Sequence, residues 1–294
     1  MTWITLIQRT ILLSLTGPGL VGNIIMFVMY IHTFVTGHEK KPTDLILIHL
    51  AFSHTIMICS IGIRGVAAAF YFRNFLGNTG CKIVVYMGRV ARGFSICNTC
   101  LLSMVQAITI SPRTTLWRKH KPQTAWQVLP CLLLLWIFNF LISSNLLNYI
   151  TSASRMNRTG IEMYIGHCYM MPSRQTVRWL FLFLMTLRDI VFQSLMGQSS
   201  GYMAVRLYEH HKRVLYLHNS RSPNNFSPEI RATQSILILT ACFLFFYWAD
   251  FIFSFYIGFN LTHTSTILYI KIFLLLGYVV LSPFVLMSRN TRVA

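Results

Sequence analysis

The side chains of this 294-residue chain that could do chemistry are few, and most lie within apolar runs. Ionisable residues come first: Arg64, Arg89, Arg92, Arg188 with its neighbour Asp189, Asp250 and Lys271. A charge in apolar surroundings is costly unless it is paired, so each marks a candidate site. Three familiar patterns carry less. Gly197-Gln198-Ser199-Ser200-Gly201 matches a nucleophile elbow, but that device needs a strand-to-helix turn with a His and an acid. Inside an apolar helix the same small residues serve close packing. Cys97-Asn98-Thr99-Cys100 has redox spacing but no solvent path or partners, so these are packing thiols. Glu209-His210-His211 lacks the spacing of a helical zinc site and is read as a solvated face. The chain is expected to be no enzyme, with no metal and no cofactor.

These residues are set in an unusual matrix. Hydrophobic residues make up 54% of the chain and charged ones 11%, with a mean hydropathy of +0.56. A single soluble core could not hide that much apolar surface. Seven apolar segments can be drawn, at 11–35, 45–71, 82–110, 125–150, 177–205, 232–259 and 264–287. Each is long enough, at about 1.5 Å per residue, to cross a hydrocarbon layer of ~30 Å. An open strand edge cannot be satisfied in lipid, so helices are expected, with Pro18, Pro130 and Pro283 as kinks. The reading is an all-α membrane protein, one seven-helix domain over 1–294, in contact with the lipid bilayer. The net charge of +18 sits in short tracts between apolar runs and not on one face, which excludes nucleic acid as a partner. No internal repeat supports a transporter built from duplicated halves. A channel or transporter, the alternative from a different class, would need acidic groups along a continuous path. The first segment is too long for a cleaved signal peptide and reads as a signal anchor.

With an outside amino terminus, thirteen of the 25 Lys and Arg fall in cytosolic tracts, seven fall outside and five lie within helices. The bias favours that orientation and a cytoplasmic carboxyl terminus. It places the sequon Asn157-Arg158-Thr159 in the longest outer loop, as a glycosylation site, and Asn225-Phe226-Ser227 in the cytosol. Cys81 and Cys168 both fall on the outer side, where disulfides persist. The remaining five cysteines lie within helices and read as reduced packing residues.

Local motifs narrow the class. Gly22-Asn23, Leu50-Ala51 and Cys81 at the head of the third segment, with a loop partner at Cys168, are similar to the rhodopsin-like receptors. The third segment ends in Ala107-Ile108-Thr109-Ile110-Ser111-Pro112, with no Asp-Arg-Tyr, and the seventh in Leu281-Ser282-Pro283-Phe284, with no Asn-Pro-x-x-Tyr. These substitutes resemble the type 1 vomeronasal (pheromone) receptors. So do Gly88-Arg89-Val90-Ala91-Arg92-Gly93 through Pro112, Leu187-Arg188-Asp189 through Gly201-Tyr202, His210 to His218, Ser227 to Ser235, and Phe246-Tyr247-Trp248-Ala249-Asp250. The resemblance implies a rhodopsin-like bundle in the plasma membrane, a Cys81–Cys168 disulfide, and a chemosensory receptor coupled to an inhibitory-class heterotrimeric G protein. A bitter-taste-type receptor is the alternative within the same topology. His54 stands where rhodopsin-like receptors carry a sodium-binding Asp, which argues against a sodium-linked mechanism. Arg64 is a second departure from the pattern.

The third segment gives the sharpest expectation. At 100° per residue, Arg89, Arg92, Ser95, Thr99, Ser103 and Gln106 share one arc of about 120°. Such a stripe must face the bundle interior or water. Arg89 and Arg92 lie roughly 12–16 Å below the top of the helix; Lys271 is expected at similar depth in the seventh segment and Arg64 in the outer part of the second. Four cations against Asp189 and Asp250, with Arg188 able to neutralise one acid, predict a small-molecule ligand that is anionic, such as a steroid sulfate. The expected ligand set is Arg89, Arg92, Ser95, Thr99, Asp250 and Lys271, with Tyr247 and Trp248 at the pocket floor. The competing expectation is that Arg89 and Arg92 pair with Asp189 and Asp250 and only hold the bundle together.

Overall fold

A computed structural model describes residues 3–37, 40–69, 77–112, 121–152, 163–165, 168–170, 175–217, 228–259 and 265–289. The long helices are α1 (Trp3–Thr36), α2 (Pro42–Ala69), α3 (Gly77–Ile110), α4 (Ala125–Ser143), α6 (Gln175–Leu217), α7 (Pro228–Phe259) and α8 (Ser265–Arg289), with a single turn α5 (Leu146–Tyr149) after α4. The seven-helix reading holds. Six of these helices contain stretches long and apolar enough to cross a membrane, and α8 contributes a shorter one, Ile272–Met287. Pro18, Pro130 and Pro283 lie inside helices, as the apolar runs around them require.

The elements differ from the sequence segments chiefly at their ends. Helix α6 runs to Leu217, about three turns past the apolar run. Nothing after Gly201 breaks it, and Arg206 bonds Glu209 one turn on at 2.9 Å. Between α5 and α6 a small antiparallel sheet appears that the apolar pattern does not announce. Its strands are β1 (Ile150–Ser152), β2 (Met163–Ile165) and β3 (Cys168–Met170), in the order β1-β3-β2. Ser152 and Ile165 flank Cys168 in register. Three-residue strands carry too little alternation to be read from sequence.

Helix α3 is the axis. It packs against α2, α4, α6 and α7, and from Val90 to Cys100 all but Arg92 are buried. The main core gathers around it, with Phe94, Ile96, Leu102, Phe243 and Tyr278 fully enclosed. The outward faces of α4, α6 and α7 are apolar and exposed, at Leu134, Leu141, Phe183 and Phe245 for example. That inversion is expected where the surrounding solvent is lipid. A second cluster, Val85, Ile142, Leu146, Ile150 and Met185, sits at the outer end around Cys81 and Cys168.

Those two cysteines are joined, tying the head of α3 to the central strand β3 across 87 residues of sequence. Closing a loop of this size is worth about 4–5 kcal/mol in the chain-entropy model. Cys168→Ser is therefore expected to lower stability by about that amount. Non-reducing peptide mapping of the surface-expressed protein should recover the linked pair, and two free thiols there would contradict this architecture.

Candidate functional site

The polar stripe of α3 does face inward, and almost all of it is spent on neighbouring helices. Taken from the outer end, Arg92 bonds Asp250 of α7. Ser95 meets His54 of α2 at 2.9 Å, and Thr99 meets Tyr278 of α8 at 3.2 Å. Below them Ser103 meets Thr240 at 3.1 Å, and Gln106 donates to Thr233 of α7 at 3.1 Å. The same face thus reaches α2, α7 and α8 in turn. Of the stripe, Arg89 alone makes no hydrogen bond or ion pair among the described residues.

His54 is the hub of the inner half. Asn23 of α1 donates both amide hydrogens, to Gly19 O at 2.8 Å and Val279 O at 3.0 Å, which turns its Oδ1 towards the imidazole. That oxygen lies 3.3 Å from His54 Nδ1 and can only accept, so the bonding assigns the Nδ1–H tautomer. Ser282 Oγ shares the same ring nitrogen at 3.0 Å, and Nε2 is left to accept from Ser95. The ring stands edge-on to Tyr278 at 5.2 Å. A neutral ring with both nitrogens engaged by α1, α3 and α8 makes this position a crosslink of four helices.

The outer half holds the charges. Arg188 of α6 donates to Asp189 Oδ1 through Nε and Nη2 at 2.8 and 2.7 Å, and to Asn139 Oδ1 through Nη1 at 2.8 Å. Arg92 and Asp250 form the second pair. Arg89 stands within Coulombic reach of Arg92, Arg188, Asp189 and Asp250. The pairing of Arg188 and both acids follows the structural expectation, but the partner of Asp189 is Arg188 and not Arg89. Three arginines and two aspartates leave the described cluster with an excess of one positive charge.

Of the two rings expected at a pocket floor, Tyr247 faces the interior and Trp248 does not. Phe243 and Tyr247 stack at 4.1 Å, and Tyr278 stands edge-on to Phe243 at 4.5 Å. The Arg92 guanidinium lies 5.4 Å from the centre of the Tyr247 ring. Trp248 does not join them: it is 48% exposed on the outward face of α7 and packs against Phe251. One residue moves a helical side chain by 100°, so Tyr247 and Trp248 cannot both face the interior. Asn157 and Asn225 lie outside the described residues, as do the side chains of Arg64 and Lys271.

Asn139 and Tyr278 were not singled out from sequence. Asn139 is a buried amide deep in the strongly apolar α4, and an isolated polar group in such a run signals a partner. Tyr278 carries no such mark, because aromatic residues occur throughout these helices.

Gly93 is what admits Arg188 to α3 and α4. A Cβ at this position would collide with Arg188 Nη1 and Asn139 Oδ1. Gly93→Ala is therefore expected to expel the guanidinium from its buried bonds and cost ~3 kcal/mol or more, as breaking a buried charged network does. The thermal midpoint of purified receptor and its surface level should both fall. An unchanged midpoint would mean that the Arg188–Asn139 contact carries little.

Comparison with known proteins assigns this architecture. The family model described as the vomeronasal organ pheromone receptor family matches residues 6–294. Human vomeronasal type-1 receptor 4 is 33% identical over 96% of this chain and 94% of its own length. Rat vomeronasal type-1 receptor 90 is 32% identical over 98% and 92%, and mouse vomeronasal type-1 receptor 46 is 29% identical over 97% and 92%. A seven-helix bundle hinged on a polar third helix, with an outer disulfide and a family match along nearly its whole length, makes this chain a multi-pass membrane protein of the vomeronasal type 1 pheromone receptor family.

Proposed function

We propose that the chain is a plasma-membrane chemosensory receptor that takes an anionic small molecule into the outer half of its bundle and activates an inhibitory-class heterotrimeric G protein. The amino terminus is outside and the carboxyl terminus cytoplasmic, following the Lys and Arg bias. The observation that carries the ligand class is the surplus charge: among the described residues, Arg89 sits beside two formed ion pairs with no acid of its own. A half-buried cation of this kind is stabilised by a ligand that brings the missing negative charge.

In this reading the two arginines of α3 carry different weights. Arg89 is the anion-binding group. Arg92 is tied to Asp250 and orients the pocket wall, with Ser95 and Thr99 holding the floor from below. Lys271 of α8 is the second cation assigned to the ligand. The ring system of a ligand such as a steroid sulfate lies against Phe246 and Tyr247, while Trp248 is left to the lipid. Signalling is a population shift, in which ligand binds the active arrangement of the helices more tightly than the inactive one. The inner polar tie of α3 to α7 through Gln106 and Thr233 is neutral and weak, of order 1 kcal/mol in a membrane bundle, so a ligand's differential affinity suffices to release it.

The test is a calcium response in cells expressing chimeric G proteins, screened with volatile, steroid and sulfated-steroid panels. In receptors that reach the surface, Arg89→Gln should weaken a sulfated agonist by about 2–5 kcal/mol and spare a neutral one. Arg92→Gln should instead lower the surface level, since it leaves Asp250 buried and unpaired. An equal loss of potency for anionic and neutral agonists in Arg89→Gln would contradict the anion site.

A further inference from the structure

We propose that the wall between α3 and α7 is a hydroxyl-recognition subsite, formed by Tyr247 Oη, Asp250 Oδ1 and Arg92 Nε and completed by a hydroxyl of the ligand. These three atoms are buried and have no hydrogen-bond partner among the described residues. Buried polar groups in folded proteins are satisfied with few exceptions, and three exceptions at one place call for an explanation.

They do belong to one place. Tyr247 and Asp250 are three residues apart on α7 and share a face. The Arg92 guanidinium lies over the Tyr247 ring and bonds Asp250 through one nitrogen and one oxygen only. An arginine and a carboxylate usually engage by two parallel bonds. Here one carboxylate oxygen and the Nε–H are left over, on the same wall as the phenol hydroxyl. The side chain of Arg92 keeps 19% of its surface accessible and that of Asp250 keeps 3%, so the approach is from the Arg92 side.

The three atoms define the chemistry of what they take. Arg92 Nε–H can only donate, ionised Asp250 Oδ1 can only accept, and Tyr247 Oη can do either. A ketone or ether would accept from the two donors and leave the carboxylate oxygen bare. An ammonium group would satisfy the carboxylate but would stand among Arg89, Arg92 and Arg188. A hydroxyl donates its proton to Asp250 Oδ1 and accepts from Tyr247 or Arg92. The inference rests on the outer half being the ligand site. It adds a second polar group to the ligand, a hydroxyl bound deeper in the bundle than the anion at Arg89.

Tyr247→Phe isolates the claim, because it removes only the hydroxyl and keeps the ring on Phe243 and under Arg92. The experiment uses the full chain in phosphatidylcholine nanodiscs. It measures the thermal midpoint without ligand and the affinities of estradiol 3-sulfate and estrone 3-sulfate, which differ in a hydroxyl against a ketone. The wild type should bind the hydroxyl compound about ten- to hundredfold more tightly, the range for a hydrogen bond to a charged group. Tyr247→Phe should shrink that ratio and leave the ligand-free midpoint unchanged or higher, since no bond within the protein is lost. A lower ligand-free midpoint would show that Oη already serves a structural bond, and would overturn the subsite. So would equal affinities for the two compounds in the wild type, or binding of neither. Discrimination that persists without any G-protein response would count against the receptor reading and leave the subsite standing.

Discussion

The structure depends on one constraint: a polar helix has been placed at the centre of an apolar bundle in a medium that offers no hydrogen bonds. Every polar side chain on α3 must then find its partner on another helix or carry the cost unmet. Arg92, Ser95, Thr99, Ser103 and Gln106 find theirs on α2, α7 and α8, at successive depths along one face. Single bonds of this type contribute little in a membrane, about 0.6 kcal/mol on average. Their effect is in register. Sliding α3 by one turn would unpair all five together, so the stripe fixes height and rotation where apolar packing against lipid-like neighbours does not. Gly93 and Asn139 extend the same logic to α4 and α6, by making room for one guanidinium and capping it.

The charge distribution along that helix separates two tasks. From Ser95 inwards the bonds are neutral, and they meet His54, Tyr278, Thr240 and Thr233. From Arg92 outwards they are ionic, and the described cluster carries more positive than negative charge. A neutral ladder can open and close at small cost, whereas an unbalanced ionic cluster responds strongly to what is placed beside it. In the proposed function that difference matters, since the ligand would bind at the ionic end and a weak restraint lies at the other. The disulfide from Cys81 to β3 anchors the ionic end.

Much of this was legible in the sequence, for a physical reason. Helix number and the interior position of the three prolines follow from run length and from the impossibility of open backbone in lipid. The inward face of α3 follows from the 100° period, which groups Arg89 to Gln106 without any knowledge of the neighbours. The partners were not legible, because periodicity orients a side chain but does not say which helix stands opposite. Asn139 and Tyr278 therefore emerged only with the fold, and so did the choice of Arg188, not Arg89, for Asp189. Trp248 shows the same limit from the other side: an aromatic run marks a ring-rich helix, and only the helix rotation tells which ring looks inward. The three-stranded sheet was invisible because its strands are held by β-ladder pairing and a disulfide, with hardly any pattern of their own.

The central claim is that the ionic contact from α3 to α7 holds the bundle as a coupled pair. It is tested most directly by a double-mutant cycle on Arg92→Met and Asp250→Leu, read as thermal unfolding of ligand-free receptor in nanodiscs. Each single change leaves a buried charge alone and should cost ~3–5 kcal/mol, while the double change removes both charges and should recover most of that loss. Additive losses in the double variant would contradict the account, and would mean that the two residues serve the bundle independently.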